Sequence, residues 1–205
     1  MSHAASSRHQ TGRCGDAVES SQLLTPRWAE QRGIIDTGRG EMEQNEQVNR
    51  VAERTVSWEE FAKADPEMAE FGRKLFERNP IAYLATVRKD GGPRVHPICP
   101  AIVQGRLYVS IIGTSPKRHD LNRDGRYVLH SLPGPNDAEF NIRGRAVQVE
   151  DIETLSTIRA AITGTVITTD KDIFFELKIE QAFSAVYENL GQLNIKAIQR
   201  RWEVS

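Results

Sequence analysis

Cysteine is nearly absent from this chain: Cys14 and Cys99 are the two among 205 residues. Two thiols cannot staple a disulfide-dense scaffold, and neither stands at metal-ligand spacing with the five histidines, so no metal site is expected. Charge of one sign is missing as well. With 27 Lys and Arg against 28 Asp and Glu, the formal net charge is −1, which argues against the basic face of a general nucleic-acid binder. No apolar run reaches the roughly 18 residues of a membrane span. The N-terminus lacks the apolar core of a secretory signal. These absences point to a cytoplasmic protein with neither nucleic-acid nor membrane partners.

The first 54 residues are poor in what a fold needs. Ser, Gly, Gln, Glu and Arg dominate, and the apolar residues Leu23, Leu24, Trp28, Ile34 and Ile35 follow no period. Such a segment buries too little apolar surface to offset a backbone entropy of roughly 1–2 kcal/mol per residue. Residues 1–54 are therefore expected to form a disordered tail and residues 55–205 one domain. Met42 is a second candidate for the start of translation.

The densest signal covers residues 81–126. Residues 81–88 are apolar and β-branched, and Lys89-Asp90-Gly91-Gly92 then breaks the run. Asp-Gly is a strong hairpin signal, both central positions of such a turn taking φ > 0. A second strand is expected over residues 94–103, and Gln104-Gly105 turns the chain into a third over 107–112. Tight turns would join the three as a meander. Pro97 and Pro100 have no N–H to donate, so the second strand should lie at an edge or be bulged there.

A helix start follows at Ser115-Pro116, with serine at a favoured N-cap and proline at the first helical position. First helical turns expose unpaired N–H groups and a partial positive charge, and usually carry Asp or Glu. Here they carry Lys117 and Arg118. Two readings are open at this point: a solvated basic turn, or a seat for an anion such as phosphate.

Leu84-Ala85-Thr86, Asp90-Gly91, Pro93-Arg94-Val95-His96-Pro97, Leu107-Tyr108-Val109, Ser115-Pro116-Lys117-Arg118, Asp120-Leu121 and Asp124-Gly125-Arg126 occur in that order. The series resembles the pyridoxamine 5′-phosphate oxidase-like family of flavin-binding split β-barrels. The likeness runs over roughly residues 58–202 and is strongest over 81–144. It implies an FMN site whose phosphate is held by the strand residues Arg94, Val95, His96 and Pro97 and by Ser115, Lys117 and Arg118. Lys117 is the leading ligand, with the Ser115 hydroxyl beside it. It also implies a homodimer with flavin between the subunits, and redox chemistry on a small organic substrate. His96 reads as a packed or hydrogen-bonded residue before it reads as an acid–base catalyst, and no catalytic residue is named.

The chain departs from the family at its end. The C-terminal Arg and His that grip a vitamin B6 phosphate have no counterpart, since no histidine follows His130. A related branch uses an 8-hydroxy-5-deazaflavin coenzyme in the same groove and is the same-class alternative. A non-catalytic module that holds flavin or haem is the alternative from another class.

The remaining chain supplies the frame. Ser57 and Glu60 have capping-box spacing, Asp65-Pro66 offers a second helix start, and Met68, Phe71, Leu75 and Phe76 make an apolar stripe. Strands are expected over 127–132 and 139–150, the latter with Gly144 as a bulge or point of close approach. A helix is expected over 151–162. Residues 164–172 read as a connection of no defined form. Residues 173–187 alternate, with Ile173, Phe175, Leu177, Ile179, Phe183, Ala185 and Tyr187 on one face and Glu176, Lys178, Glu180 and Ser184 on the other, which reads as one strand or two joined by a bend. Trp202 reads either as a closing aromatic by the subunit interface or as a cap on the barrel. The sum is a mainly β fold: a six-stranded antiparallel split β-barrel of the FMN-binding type with flanking helices.

Overall fold

Helix caps written in the sequence set the first elements of the fold. The structure, a computed structural model, describes residues 54–163, 168–169 and 171–205. The expected tail, all but Arg54, and part of the 164–172 connection lie outside them. Ser57 and Glu60 form a reciprocal capping box at the start of α1 (Trp58–Ala64). Asp65 caps α2 (Pro66–Arg78) through the Met68 N–H at 3.0 Å. The stripe of α2 buries Met68, Ala69, Leu75 and Phe76. Gly72 lies within it, because a Cβ there would run into the Phe140 ring. Each buried Phe or Leu of this kind contributes about 1.5–3 kcal/mol.

β1 (Ala82–Val87) and β2 (Pro93–Ile98) form the first hairpin. Only Gly91 of its turn is left-handed (φ 82°); Asp90 instead accepts a bond from the Gly92 N–H at 3.0 Å. The doubly left-handed turn is the next one, Gln104-Gly105, with φ 48° and 72°. It joins β3 (Pro100–Val103) to β4 (Arg106–Ile112).

The single strand expected over 94–103 is thus two strands, broken at Cys99. Pro100 has no N–H with which to continue a ladder. β2 pairs only with β1 and β3 only with β4, so both are edges and the meander becomes two hairpins meeting at a corner. With β5 (Arg126–Ser131), β6 (Glu139–Gln148) and β7 (Asp172–Glu188), the sheet path is β2-β1-β5-β6-β7-β4-β3. Its two end strands are consecutive in the chain. The sheet therefore curls round one core that draws Leu84, Ile98, Leu107, Leu129, Ile142 and Leu177 from strands along the whole path.

An unforeseen strand, β8 (Lys196–Glu203), pairs with the end of β7, so the antiparallel sheet has 8 strands where six were expected. Lys196 to Arg201 are all exposed, which is why no apolar alternation announced it. Trp202 packs on Phe61 with ring centroids 4.9 Å apart, the position of a cap on the barrel.

Gly144 is the bulge: register shifts between Arg143 and Gly144, and a Cβ at Gly144 would collide with the Lys178 carbonyl. Across that shift β7 changes parity. Ala182, opposite Ile142, takes the core side, and Phe183, opposite Asn141, turns outward rather than sharing the face of Phe175, Leu177 and Ile179 as expected. Phe174 also points away from the main core. It forms a second cluster with Tyr108, Val103 and the Ile158 and Ile162 side chains of α4 (Ile152–Ile162). Among the described residues no helix is long and apolar enough to cross a membrane.

Candidate functional site at the start of the third helix

The helix α3 (Pro116–Arg123) carries the expected basic first turn and has no acidic residue there. Ser115 occupies the N-cap position, but its hydroxyl makes no capping bond, so it stays available to a ligand. Lys117 is half-buried, and burial pushes its ammonium below the usual lysine range. Among the described residues it has no carboxylate partner. Arg118 folds back so that Nη1 donates to the Gly113 carbonyl at 3.3 Å, while its Nε is buried without a partner. Positive side chains thus stand at the positive end of a helix dipole, an arrangement that an anion would relieve.

One turn beyond Lys117, Asp120 and Leu121 are the residues that α3 buries. Asp120 is 4% exposed and accepts from Thr86 Oγ1 at 3.0 Å and from Arg94 Nε at 2.6 Å. Arg123 Nη1 lies 3.6 Å from its other oxygen, and Arg123 also donates to the Val87 carbonyl. Asp120 therefore ties α3 to β1 and β2 and holds Arg94 in place. Its role was missed; the available signal was an acid at i+3 from Lys117, beside Leu121. Arg126 pairs with Asp124, as does the Arg145 guanidinium with the Asp124 carbonyl, so both brace the far end of the helix.

The register separates the four strand residues. Arg94 and His96 lie opposite Thr86 and Leu84, on the side of the sheet that those buried residues share. Val95 and Pro97 lie opposite Ala85 and Tyr83, on the other side. The structure thus brings Arg94 to α3 through Asp120 and puts His96 on the same side. Val95 and Pro97 instead join an outer surface where Val95 is 57%, Tyr83 46% and Val128 38% exposed. A larger cavity of about 430 Å³ opens beside Phe76, Cys99 and Ile162, and none of the expected site residues lines it.

No family model matches the chain, and no curated protein does. Among solved structures it is similar to a haem-binding protein from Mycobacterium smegmatis, with 16% identity and a TM-score of 0.49. That match covers 65% of this chain, which spans 58% of the other. It is similar to a putative pyridoxamine 5′-phosphate oxidase from Listeria innocua at 18% identity, TM-score 0.47, covering 55% and 94% of the two chains. A protein related to general stress protein 26, of the pyridoxinephosphate oxidase family, from Clostridium acetobutylicum matches at 14% identity, TM-score 0.48, over 64% and 92%. Likeness at this level carries nothing about cofactor or activity.

Proposed function

We propose that the chain binds FMN, with the flavin phosphate at the start of α3, and acts in the cytoplasm as an oxidoreductase on a small organic substrate. The observation that carries this reading is the first turn of α3. Its hydroxyl caps nothing, its lysine is desolvated without a counter-ion among the described residues, and a guanidinium Nε is buried unpaired. Those are the donors that a phosphate dianion satisfies, so the residues fit the group. Lys117 would serve as the mobile point charge, with the Ser115 hydroxyl and Arg118 Nε beside it. Arg94 is tied to the same helix through its Nε by Asp120. When bound, the flavin supplies the hydride chemistry.

An 8-hydroxy-5-deazaflavin would engage the same cations, and the absorbance spectrum of the protein as isolated separates it from FMN. The non-catalytic reading has one observation in its favour. Asp120, the carboxylate buried in α3, is already engaged by Thr86 and Arg94. Stopped-flow reduction by NADH or NADPH distinguishes an enzyme from a holder of flavin or haem.

The direct test pairs two ligands. A charge-assisted hydrogen bond contributes about 1.5–3 kcal/mol, so Lys117→Ala should weaken FMN binding roughly tenfold to a hundredfold. Riboflavin, which lacks the phosphate, should bind both proteins alike. Equal losses for the two ligands would remove the phosphate from α3.

A further inference from the structure

Beyond α3, the outer side of β6, β7 and β8 carries a second feature. Paired residues of an antiparallel ladder share a side, so two rows can be traced across the sheet. One runs Val128, Arg143, Gln181, Glu203; the next runs His130, Asn141, Phe183, Arg201. Arg143, Asn141, Gln181, Phe183 and Arg201 line a pocket of about 280 Å³. That is just under the usual range for ligand pockets, about 300–1,000 Å³, and leaves space for one ring and its charged group.

The chemistry of the lining is one-sided. Neither Arg143 nor Arg201 forms an ion pair or hydrogen bond among the described residues; Arg201 merely lies over the Phe183 ring at 5.8 Å. Two carboxamides stand beside them, and no carboxylate lines the pocket. Glu139 and Glu203 occupy flanking register positions, and Glu139 accepts from the Tyr187 hydroxyl at 2.8 Å. Guanidinium groups present planar forks that match a carboxylate, and both they and Phe183 stack on flat rings. The bulge at Gly144 brings this about, since the change of parity in β7 is what turns Phe183 outward beside Arg201.

We propose that this pocket binds a small ring compound bearing a carboxylate. The proposal rests on the lining of this pocket and not on the phosphate seat at α3, so Lys117→Ala should leave it intact. The test titrates the full chain with benzoate, benzamide and inorganic phosphate by saturation-transfer NMR. Benzoate should bind about tenfold or more tightly than benzamide. Arg143→Gln and Arg201→Gln should each erase that preference, and both variants should melt with the wild type because these side chains make no internal bonds. Failure of benzoate to saturate, equal binding of benzoate and benzamide, or a preference that survives both substitutions would overturn the proposal. Displacement of benzoate by an equal concentration of phosphate would overturn its ring component.

Discussion

Asp120 shows how one side chain can decide what its neighbours are free to do. A carboxylate buried this far needs compensation, and Thr86 and Arg94 provide it, which leaves Lys117 one turn away without a counter-ion among the described residues. Tyr127 presents the same physics with a different outcome. It is 3% exposed and its hydroxyl donates to the Lys178 carbonyl at 3.1 Å. Burial first, and Glu180 second, push the phenol well above its usual range. The unfolded chain loses this proton near pH 10, while the folded chain keeps it. The folded state then holds more protons than the unfolded state above that pH, so stability present below pH 10 is lost as pH rises, by about 1.4 kcal/mol per unit. Urea unfolding at pH 8 and pH 10.5 should show this slope, reduced in Tyr127→Phe. Tyr108, raised chiefly by burial too, retains part of it. A Phe variant as alkali-sensitive as the wild type would contradict the assignment.

At the level of elements, the bulge in β6 is the feature on which most else depends. The β6–β7 ladder extends from Glu139 opposite Ala185 to Gln148 opposite Phe175, and Gly144 is where it slips. A side chain there meets backbone, which cannot rotate away. Gly144→Ala is therefore expected to destabilise by about 3 kcal/mol or more, at or above the upper end for overpacking. The same substitution should disturb the Phe183–Arg201 pocket, because the parity of β7 depends on the bulge. A wild-type urea midpoint for Gly144→Ala would mean that β7 can shift to admit the methyl group. The edge position of β2, by contrast, follows from composition: strands bounded by Pro93 and Pro100 make poor central strands.

For the whole molecule, the outer side of β2, β1 and β5 is the outstanding feature. Val95, Ala85 and Val128 form one row across it, with Tyr83 and Pro97 in the next, and Val95, Tyr83 and Val128 are well exposed. An apolar patch of this kind suits a second copy of the chain, the state that the sequence resemblance implied. Sedimentation velocity should give twice the 23.1 kDa chain mass. Paired Val95→Asp and Val128→Asp substitutions should yield a folded monomer, since neither residue belongs to the core. FMN affinity should fall with them if both subunits complete the flavin site. A tight-binding monomeric wild type would sink the idea.

What the sequence determined by itself was local. The capping box at Ser57, the Asp65-Pro66 start, the left-handed Gly91 and the Gly144 bulge each depend on residues within a few positions or on the absence of a Cβ. They were legible because short-range sterics and hydrogen bonds act alike in any context. The position of Lys117 and Arg118 in a helical first turn was legible on the same ground. Tertiary structure decided the rest. The break at Cys99 matters because it lets consecutive strands end opposite edges of one sheet. β8 exists through backbone bonds to β7, which leave no mark on a polar run such as Gln199-Arg200-Arg201. The Asp120–Arg94 pair and the pocket that Arg143 and Arg201 both line join residues far apart in sequence. For Arg94, Arg143 and Arg201 the side of the sheet is set by register, and a shift of one residue would send each to the opposite face.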